Sequence, residues 1–326
     1  MAETVIPILL ILIVLGALNI PIYLVILAAT VYLQVFVINV PVTGIFNSLI
    51  ESLAKNSFLC VPFFVLTGAL IQSSSLGTRL INFFIALLKN IRAGLAVACL
   101  VANAFFGAIS GSAPAAVATF SKIIYEPLKE EEGDKTAIGI LTSSGALSTI
   151  IPPSITLIIF GLATETSVTQ LFMASFLPGV LIVLLVTIYL VWNANRRLKR
   201  IAVEKKITYE DLKHRKGPIF NWKEIWHAFV KGIPVLILPV IILGGVYAGL
   251  ATPTESGAIA ALYSFIVPTF ILRETKFQKL KSSLIDATRV TAQLFILIAC
   301  STAFAQATAM AQLPQMITAY FANMSQ

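Results

Sequence analysis

The chain has 326 residues, 58% hydrophobic and only 12% charged, with a mean hydropathy of +0.91. Soluble domains run at roughly 45–50% apolar and about 25% charged, and a chain of this size has no interior able to hide the excess. Lipid must be the solvent for most of it, which excludes a soluble enzyme, a nucleic-acid-binding domain and a disulfide-stapled module. The formal charge of +8 is local, because residues 196–231 carry eleven Lys or Arg against four acids. A basic block beside a membrane span reads as a cytoplasmic loop near anionic lipid.

Taken in chain order, apolar stretches cover 5–18 and 20–38, parted at Asn19-Ile20-Pro21. No basic n-region or small-residue cleavage site precedes them, so the stretch reads as a retained anchor. A loop over 39–56 leads to a span at 57–75, with Ser75 at its end, and an amphipathic segment at 78–91. A broken apolar stretch over 93–128 follows, then 136–164 and 168–194. After the basic loop come an amphipathic segment at 218–230, spans at 232–250 and 252–272, an amphipathic segment at 274–288 and a last span at 290–309. The three amphipathic segments suit helices lying along the interface as braces. Many spans are rich in Gly, Ala, Ser and Thr, which let helices approach closely, a composition that favours a transporter or channel over an anchor. Cys60, Cys99 and Cys300 lie in apolar runs without CxxC spacing and read as inert buried thiols.

Charge fixes the expected orientation. With 196–231 cytoplasmic, every Lys and Arg except Lys55 falls on the inner side, and the N-terminus faces outward. The chain also shows a weak internal repeat. Asn19-Ile20-Pro21-Ile22-Tyr23 and its following span parallel Ala251-Thr252-Pro253-Thr254-Glu255 and the span after it. Val61 through Leu76 and Gly77 parallels Ile298 through Leu313 and Pro314. The two copies would have opposite topology, a common architecture of secondary transporters. With Leu76 set against Leu313, Gln326 falls opposite Lys89, and nothing in the second copy corresponds to 90–194. The expectation is a truncated chain, or one completed by another polypeptide.

Two polar breaks carry the chemistry. In Asn103-Ala104-Phe105-Phe106-Gly107-Ala108-Ile109-Ser110-Gly111-Ser112-Ala113-Pro114 a Ser-Gly-Ser-Ala-Pro cluster interrupts an apolar helix. Pro114 blocks its continuation and Gly111 permits a sharp turn. Both flanks, at Arg92 and Lys129, belong on the inner side, which describes a re-entrant hairpin with hydroxyls and a helix N-terminus at its tip. Such backbone is tolerated at membrane depth only where protein shields it or it lines a wet cavity. The second break lies in Ser143-Ser144-Gly145-Ala146-Leu147-Ser148-Thr149-Ile150-Ile151-Pro152-Pro153-Ser154. Tandem prolines free carbonyls one turn earlier, so one half-helix offers oxygen ligands to a cation and the next offers its positive end to an anion.

The Ser-Gly-Ser-x-Pro hairpin, the Ile-Pro-Pro-Ser break and the Thr-Pro-Thr-Glu helix start follow one another at distances that resemble the large membrane subunit of tripartite ATP-independent periplasmic (TRAP) transporters. The resemblance covers essentially the whole chain. It implies an all-α integral membrane protein, an inverted-repeat elevator-type transporter with a re-entrant helical hairpin and a broken helix. It also implies sodium coupling, carboxylate substrates such as C4-dicarboxylates or sialic acids, a small four-helix membrane subunit, a periplasmic substrate-binding protein and a bacterial inner-membrane location. By motif, Ser110, Ser112, Ser148, Ile150 and Pro153 would form a sodium site. Asn103, Gly111, Ser112, Ala113, Pro114, Pro152 and Ser154 would face substrate. Ser148 departs from the family's usual Gly at its position, where a backbone carbonyl ligand would still be available.

The implied organisation is scaffold spans over 1–75, an arm over 76–92, a transport domain over 93–164, a span over 165–195, the basic loop with its amphipathic helix over 196–231 and an incomplete second repeat over 232–326. Glu255 at a helix start reads as a cap, and His214 and His227 as solvated loop residues. No HExxH, Asp-rich diphosphate motif or Walker A loop is present, so no enzymatic chemistry or resident cofactor is expected, sodium being a coupling ion. Two other readings fit the same residues: an elevator carrier of anions or citrate that needs no binding protein, and a membrane assembly subunit without transport of its own.

Overall fold

The computed structural model describes residues 2–54, 56–205 and 221–324, and all the regular structure among them is helical. In chain order the helices are α1 (Ala2–Ala17), α2 (Ile22–Val31, prolonged by a π-turn over Tyr32–Val37), α3 (Val42–Leu53), α4 (Cys60–Ser73) and α5 (Leu76–Leu88). Then come α6 (Gly94–Ser110), α7 (Ala113–Glu132), α8 (Asp134–Leu147), α9 (Ile155–Ala163) and α10 (Val168–Lys205). The last are α11 (Trp222–Pro239, continued by wider turns to Tyr247), α12 (Pro253–Ile266, prolonged by a π-turn over Val267–Ile271), α13 (Phe277–Met310) and α14 (Leu313–Met324). Four stretches are long and apolar enough to cross a membrane: Val168–Arg197, Trp222–Tyr247, Pro253–Ile271 and Phe277–Met310. The pair α4 and α5, bent by 72° at Ser74–Ser75, makes a fifth if taken as one span.

Several expected boundaries move. Residues 39–56, read as a loop, contain α3, whose Phe46 and Ile50 are exposed while Ser52 is buried. Only residues 221–230 of the amphipathic segment at 218–230 are described, and they run straight into the span at 232–250. The segments 274–288 and 290–309 likewise form one helix, α13. A change from polar to apolar side chains marks where a helix would enter lipid, but it does not break the backbone. Only Pro, Gly clusters or unmet hydrogen bonds do that, and Thr288-Arg289-Val290 supplies none. For the same reason α10 continues through residues 196–205, placed in the basic loop from charge alone. Lys55, His214 and the rest of that loop, 206–220, lie outside the described residues. His227 is exposed on α11.

Some of the elements set opposite each other by sequence have similar ends. α2 and α12 each start at a proline and each end in a π-turn. Leu76 and Leu313, set opposite each other by sequence, each open a helix. Thr252 caps α12: its hydroxyl accepts the Glu255 N–H at 3.2 Å, and the Glu255 carboxylate accepts the Thr252 N–H at 2.7 Å. Glu255 is therefore a helix cap, as its position suggests. All three cysteines are buried, and none of them forms a disulfide.

The chain forms two compact units, residues 1–58 with 289–326, and residues 59–288. In the first, Ile8, Ala29, Leu33, Ala307 and Leu313 make a small buried core, and Phe58 meets Phe295 edge-on at 6.4 Å. In the second, α4 packs on α12 so closely that Gly257 leaves no spare room beside Phe63 and Phe64. α6 and α7 lie against α8, with Phe106 and Phe120 meeting edge-on at 5.1 Å between the two limbs of the hairpin. The feet of those limbs are tied to one stretch of α10. Arg92 donates to the Asn195 side chain, and Arg197 pairs with the buried Glu132 at 2.8 Å.

A polar clasp holds α5 to the connection after α12. Arg79 pairs with Glu274 at 2.5 Å and donates to the Lys231 carbonyl at 3.1 Å. The Ser75 hydroxyl donates to Glu274 and accepts from Arg79 Nε at 3.0 Å. Partial burial raises the Glu274 pKa, but the hydrogen bonds from Ser75 and Arg79 and the Arg79 charge outweigh it and leave it below its ordinary 4.5. A carboxyl whose folded pKa is depressed contributes stability that is present above its ordinary value and is lost as pH falls through the lowered one. The clasp is thus expected to be intact at neutral pH. In thermal melts of purified protein, Tm should fall below about pH 4.5 by more in the native chain than in Glu274→Gln; parallel acid limbs for the two proteins would contradict it.

Candidate functional site

The expected hairpin is present. α6 and α7 are joined by Gly111 and Ser112, with Gly111 in the left-handed region at φ 63°, where a missing Cβ removes the steric cost. The Gly111 N–H closes the α6 terminus on the Gly107 carbonyl at 2.6 Å. Ser112 caps α7, its hydroxyl accepting the Ala115 N–H at 3.4 Å, with Pro114 inside the first turn where its missing donor is harmless. From Lys122 onward α7 turns charged, so its apolar part is short. The expected break is also present: α8 ends at Leu147, α9 begins at Ile155, and Ser148–Ser154 between them is irregular.

Glycines bring the two breaks together. A Cβ built on Gly107 would lie 1.6 Å from the Ser148 Cβ, and one on Gly111 would lie 2.4 Å from Ile155 Cγ1. One on Gly68 of α4 would meet the Ser110 carbonyl oxygen at 2.7 Å, and one on Gly145 of α8 would meet Val117 Cγ2 of α7 at 2.2 Å. Each glycine therefore marks a contact that any side chain would push apart. Ser110, Ser148, Pro152, Pro153 and Ser154 are buried at this junction; Gly111, Ser112, Ala113 and Ile150 are half-buried, and Pro114 is exposed. Asn103 stands apart from them. Seven residues before Ser110, it lies about 10 Å along the α6 axis from it. Fully buried, it donates to the Ser144 hydroxyl at 2.9 Å and to the Cys99 carbonyl at 3.1 Å, while its Oδ1 has no partner.

The hydrogen-bond ledger shows which atoms remain open to a ligand. The Ser148 hydroxyl is turned onto its own helix, donating to the Gly145 carbonyl at 2.6 Å. The Ser154 hydroxyl donates back to the Thr149 carbonyl at 2.7 Å, replacing the donor that Pro153 lacks. Consequently Ser154, although it stands at the N-cap of α9, leaves the first N–H groups of that helix without a side-chain cap. Pro152 lacks an N–H as well, so the Ser148 carbonyl loses its helical donor. Ser110 Oγ receives only the Ser112 N–H, at 3.5 Å. The junction thus sets a hydroxyl and a carbonyl oxygen, suited to a hard cation, near an uncapped positive helix end, suited to an anion.

Residue type and spacing located both breaks but not what joins them. Gly107, Ser144 and Gly145 lie within the two stretches that carry the breaks, but their contact partners, and the part played by Gly68, had no signal beyond the general abundance of small residues in the spans. Ser75 reads from sequence as lying outside both breaks, but it belongs to the Arg79–Glu274 clasp and is no neutral reference position.

Several helices long and apolar enough to cross a membrane, with a helical hairpin packed against a broken helix, define a subunit of a membrane transporter. The family described as "Tripartite ATP-independent periplasmic transporter, DctM component" matches residues 9–326, and the chain belongs to it: this is a TRAP large membrane subunit. It is 35% identical over 276 residues to the C4-dicarboxylate TRAP transporter large permease protein DctM of Pseudomonas aeruginosa, covering 83% of this chain and 60% of that protein. It is 34% identical over 273 residues to the 2,3-diketo-L-gulonate TRAP transporter large permease protein YiaN of Escherichia coli, covering 83% and 61% respectively. An isethionate TRAP transporter permease protein DctMQ of Oleidesulfovibrio alaskensis is 28% identical over 280 residues, 86% of this chain and 42% of that protein. The chain spans about three-fifths of the length of the first two relatives.

The Gly107–Ser148 contact yields a direct test. Gly107→Ala should destabilise the protein by about 1–3 kcal/mol through overpacking, read as a lower Tm of the purified protein. Adding Ser148→Gly removes the clashing Cβ and should restore part of the loss. A Gly107→Ala protein as stable as the native chain would show that the two breaks are not pressed together.

Proposed function

We propose that this chain is the transporting subunit of a sodium-coupled importer of small organic anions, carboxylates above all. The observation that carries the reading is the close approach of Gly107 to Ser148, which holds the hairpin tip against the broken helix. Two oxygen sources and one uncapped helix end then share a small volume. Sodium would take the Ser110 hydroxyl and the carbonyls of the Ser148–Ile150 turn before Pro153, with Ser112 shaping the hairpin tip. The anion would lie beside Gly111, Ala113 and the start of α9. Because the Ser148 hydroxyl is already committed to Gly145, its carbonyl is the better ligand.

The names of the relatives support an acidic substrate, since C4-dicarboxylate, diketogulonate and isethionate are all organic anions. Sialic acids belong to the same chemical class. On this reading the helices α6–α9 travel as an elevator, supported by a small four-helix membrane subunit, in a bacterial inner membrane with the N-terminus outside. Substrate arrives on a periplasmic binding protein.

The test is uptake by proteoliposomes containing a version completed to the length of its relatives. The small subunit is included and binding protein is added outside. Loss of one ligand contact is worth about 1–3 kcal/mol, or roughly five- to 150-fold in affinity. Ser110→Ala should raise the sodium concentration for half-maximal uptake by a factor in that range, while Ser282→Ala, exposed on α13 and bonded only to the Lys279 carbonyl, should not. An unchanged sodium dependence in Ser110→Ala would place the coupling ion elsewhere. Uptake that proceeds equally without binding protein would favour a carrier that works alone.

A further inference from the structure

Beside the broken helix lies a cavity of about 280 Å³ whose lining residues are all apolar. Its walls come from α6 (Ala104 and Phe105), from the break itself (Ile151 and Pro152) and from α10 (Val180 and Leu184), with the end of α11 closing one side. The lining offers no hydrogen-bond partner to a substrate anion or to water, so neither explains the space. Phe105, Val180 and Leu184 are each more than a third exposed, which makes the cavity open sideways, into what would be lipid.

The α10 surface leads from this opening to a charged anchor. Val180, Leu184, Ile188, Trp192 and Arg196 follow at four-residue intervals and so form one ridge of the helix. Ile188 and Trp192 are 64% and 49% exposed, so the ridge is uncovered along its length. Arg196 lies over the Trp192 ring at 3.7 Å, and Tyr189 flanks the same indole at 6.4 Å. Aromatic residues beside a cation mark the headgroup level of a bilayer. Leu184 lies about 12 Å along the axis from Trp192 and about 18 Å from Arg196. Half of a ~30 Å hydrocarbon core falls between those two lengths, which is the reach of one acyl chain.

We propose that this cavity and ridge bind one phospholipid of the leaflet on the basic side, its phosphate at Arg196 and one acyl chain running past Trp192 and Ile188 to end against Ile151 and Pro152. Charge complementarity selects a phosphate at one end, and the unbroken apolar lining selects a hydrocarbon at the other. The lipid would then complete the packing beside the break at Ile151 and Pro152. The inference needs the membrane location but not the transport reading.

The probe is a phosphatidylglycerol carrying a diazirine at the end of one acyl chain, incorporated with the full chain into lipid nanodiscs and photolysed. Adducts should concentrate on Ala104, Val180 and Leu184. They should exceed those on Leu177 and Leu181, which are 74% and 54% exposed but outside the cavity. Ala104→Trp, filling the space from α6, should reduce cavity adducts about tenfold, equivalent to about 1.4 kcal/mol, without changing those on Leu177. If Ala104→Trp does not fold, Val180→Trp fills the same space from the lipid side. Arg196→Gln should weaken labelling by the phospholipid but not by a diazirine-bearing diacylglycerol without phosphate. Adducts spread evenly along α10 would mean ordinary surrounding lipid and overturn the proposal. So would cavity labelling unaffected by either Trp variant, or a benzoylphenylalanine at position 184 crosslinking to a protein segment instead of lipid.

Discussion

In hydrocarbon, a backbone polar group that lacks a partner costs several kcal/mol, and the architecture of this chain follows from how it meets that constraint. It breaks regular helix at the Gly111–Ser112 turn and over Ser148–Ser154. Neither break could stand alone against lipid. Each is closed partly from within, through Gly111 to Gly107, Ser112 to Ala115 and Ser154 to Thr149, and partly by burial against the other. What remains open after that closure is small and local: the Ser148 carbonyl, the Ser110 hydroxyl with its one long bond from the Ser112 N–H, and the first turn of α9. A site of this kind arises because two imperfect pieces of backbone shield one another while leaving just those atoms unspent.

Shielding of that sort demands contact at backbone distance, which is why glycine recurs where the helices meet. Gly68, Gly107, Gly111 and Gly145 each face a neighbour that a Cβ would strike. Between apolar helices in lipid there is little hydrophobic drive to associate, so close van der Waals packing and interhelical hydrogen bonds must supply it. The Asn103–Ser144 bond between α6 and α8 is one such link. At the charged end of the same helices, the Arg92–Asn195 and Arg197–Glu132 contacts fasten both limbs of the hairpin to α10. The hairpin is thereby joined to the broken helix at its tip and to the end of α10 at its feet.

Much of this was legible in the residues. Ser110-Gly111-Ser112-Ala113-Pro114 announced a turn, because glycine and proline punctuate backbone by local sterics alone. Pro152-Pro153 announced a break for the same reason, and Thr252 to Glu255 announced a capped helix start. The family resemblance followed from the order of those signals. The partnership of Gly107 with Ser148 was not legible, since a glycine inside an apolar helix looks the same whether it faces lipid or a second backbone. Helix ends defined by composition were misplaced at 196, 231 and 289, where polarity changes but hydrogen bonding along the backbone does not. The helix α3 was legible but missed: after Pro41, Val42, Ile45, Phe46, Leu49, Ile50 and Leu53 recur at helical spacing, and its twelve residues, too short to span a membrane, read instead as a loop between spans.

The central claim is that the hairpin tip and the break form one ion site. Hydrogen–deuterium exchange of the protein in nanodiscs, in sodium chloride and in an equal concentration of potassium chloride, tests it most directly. The account predicts that sodium slows exchange of the amides in 107–112 and in 148–158 together, with the same sodium dependence, and leaves α3 and the exposed part of α13 unchanged. Protection confined to one of the two segments, or none in either, would contradict it.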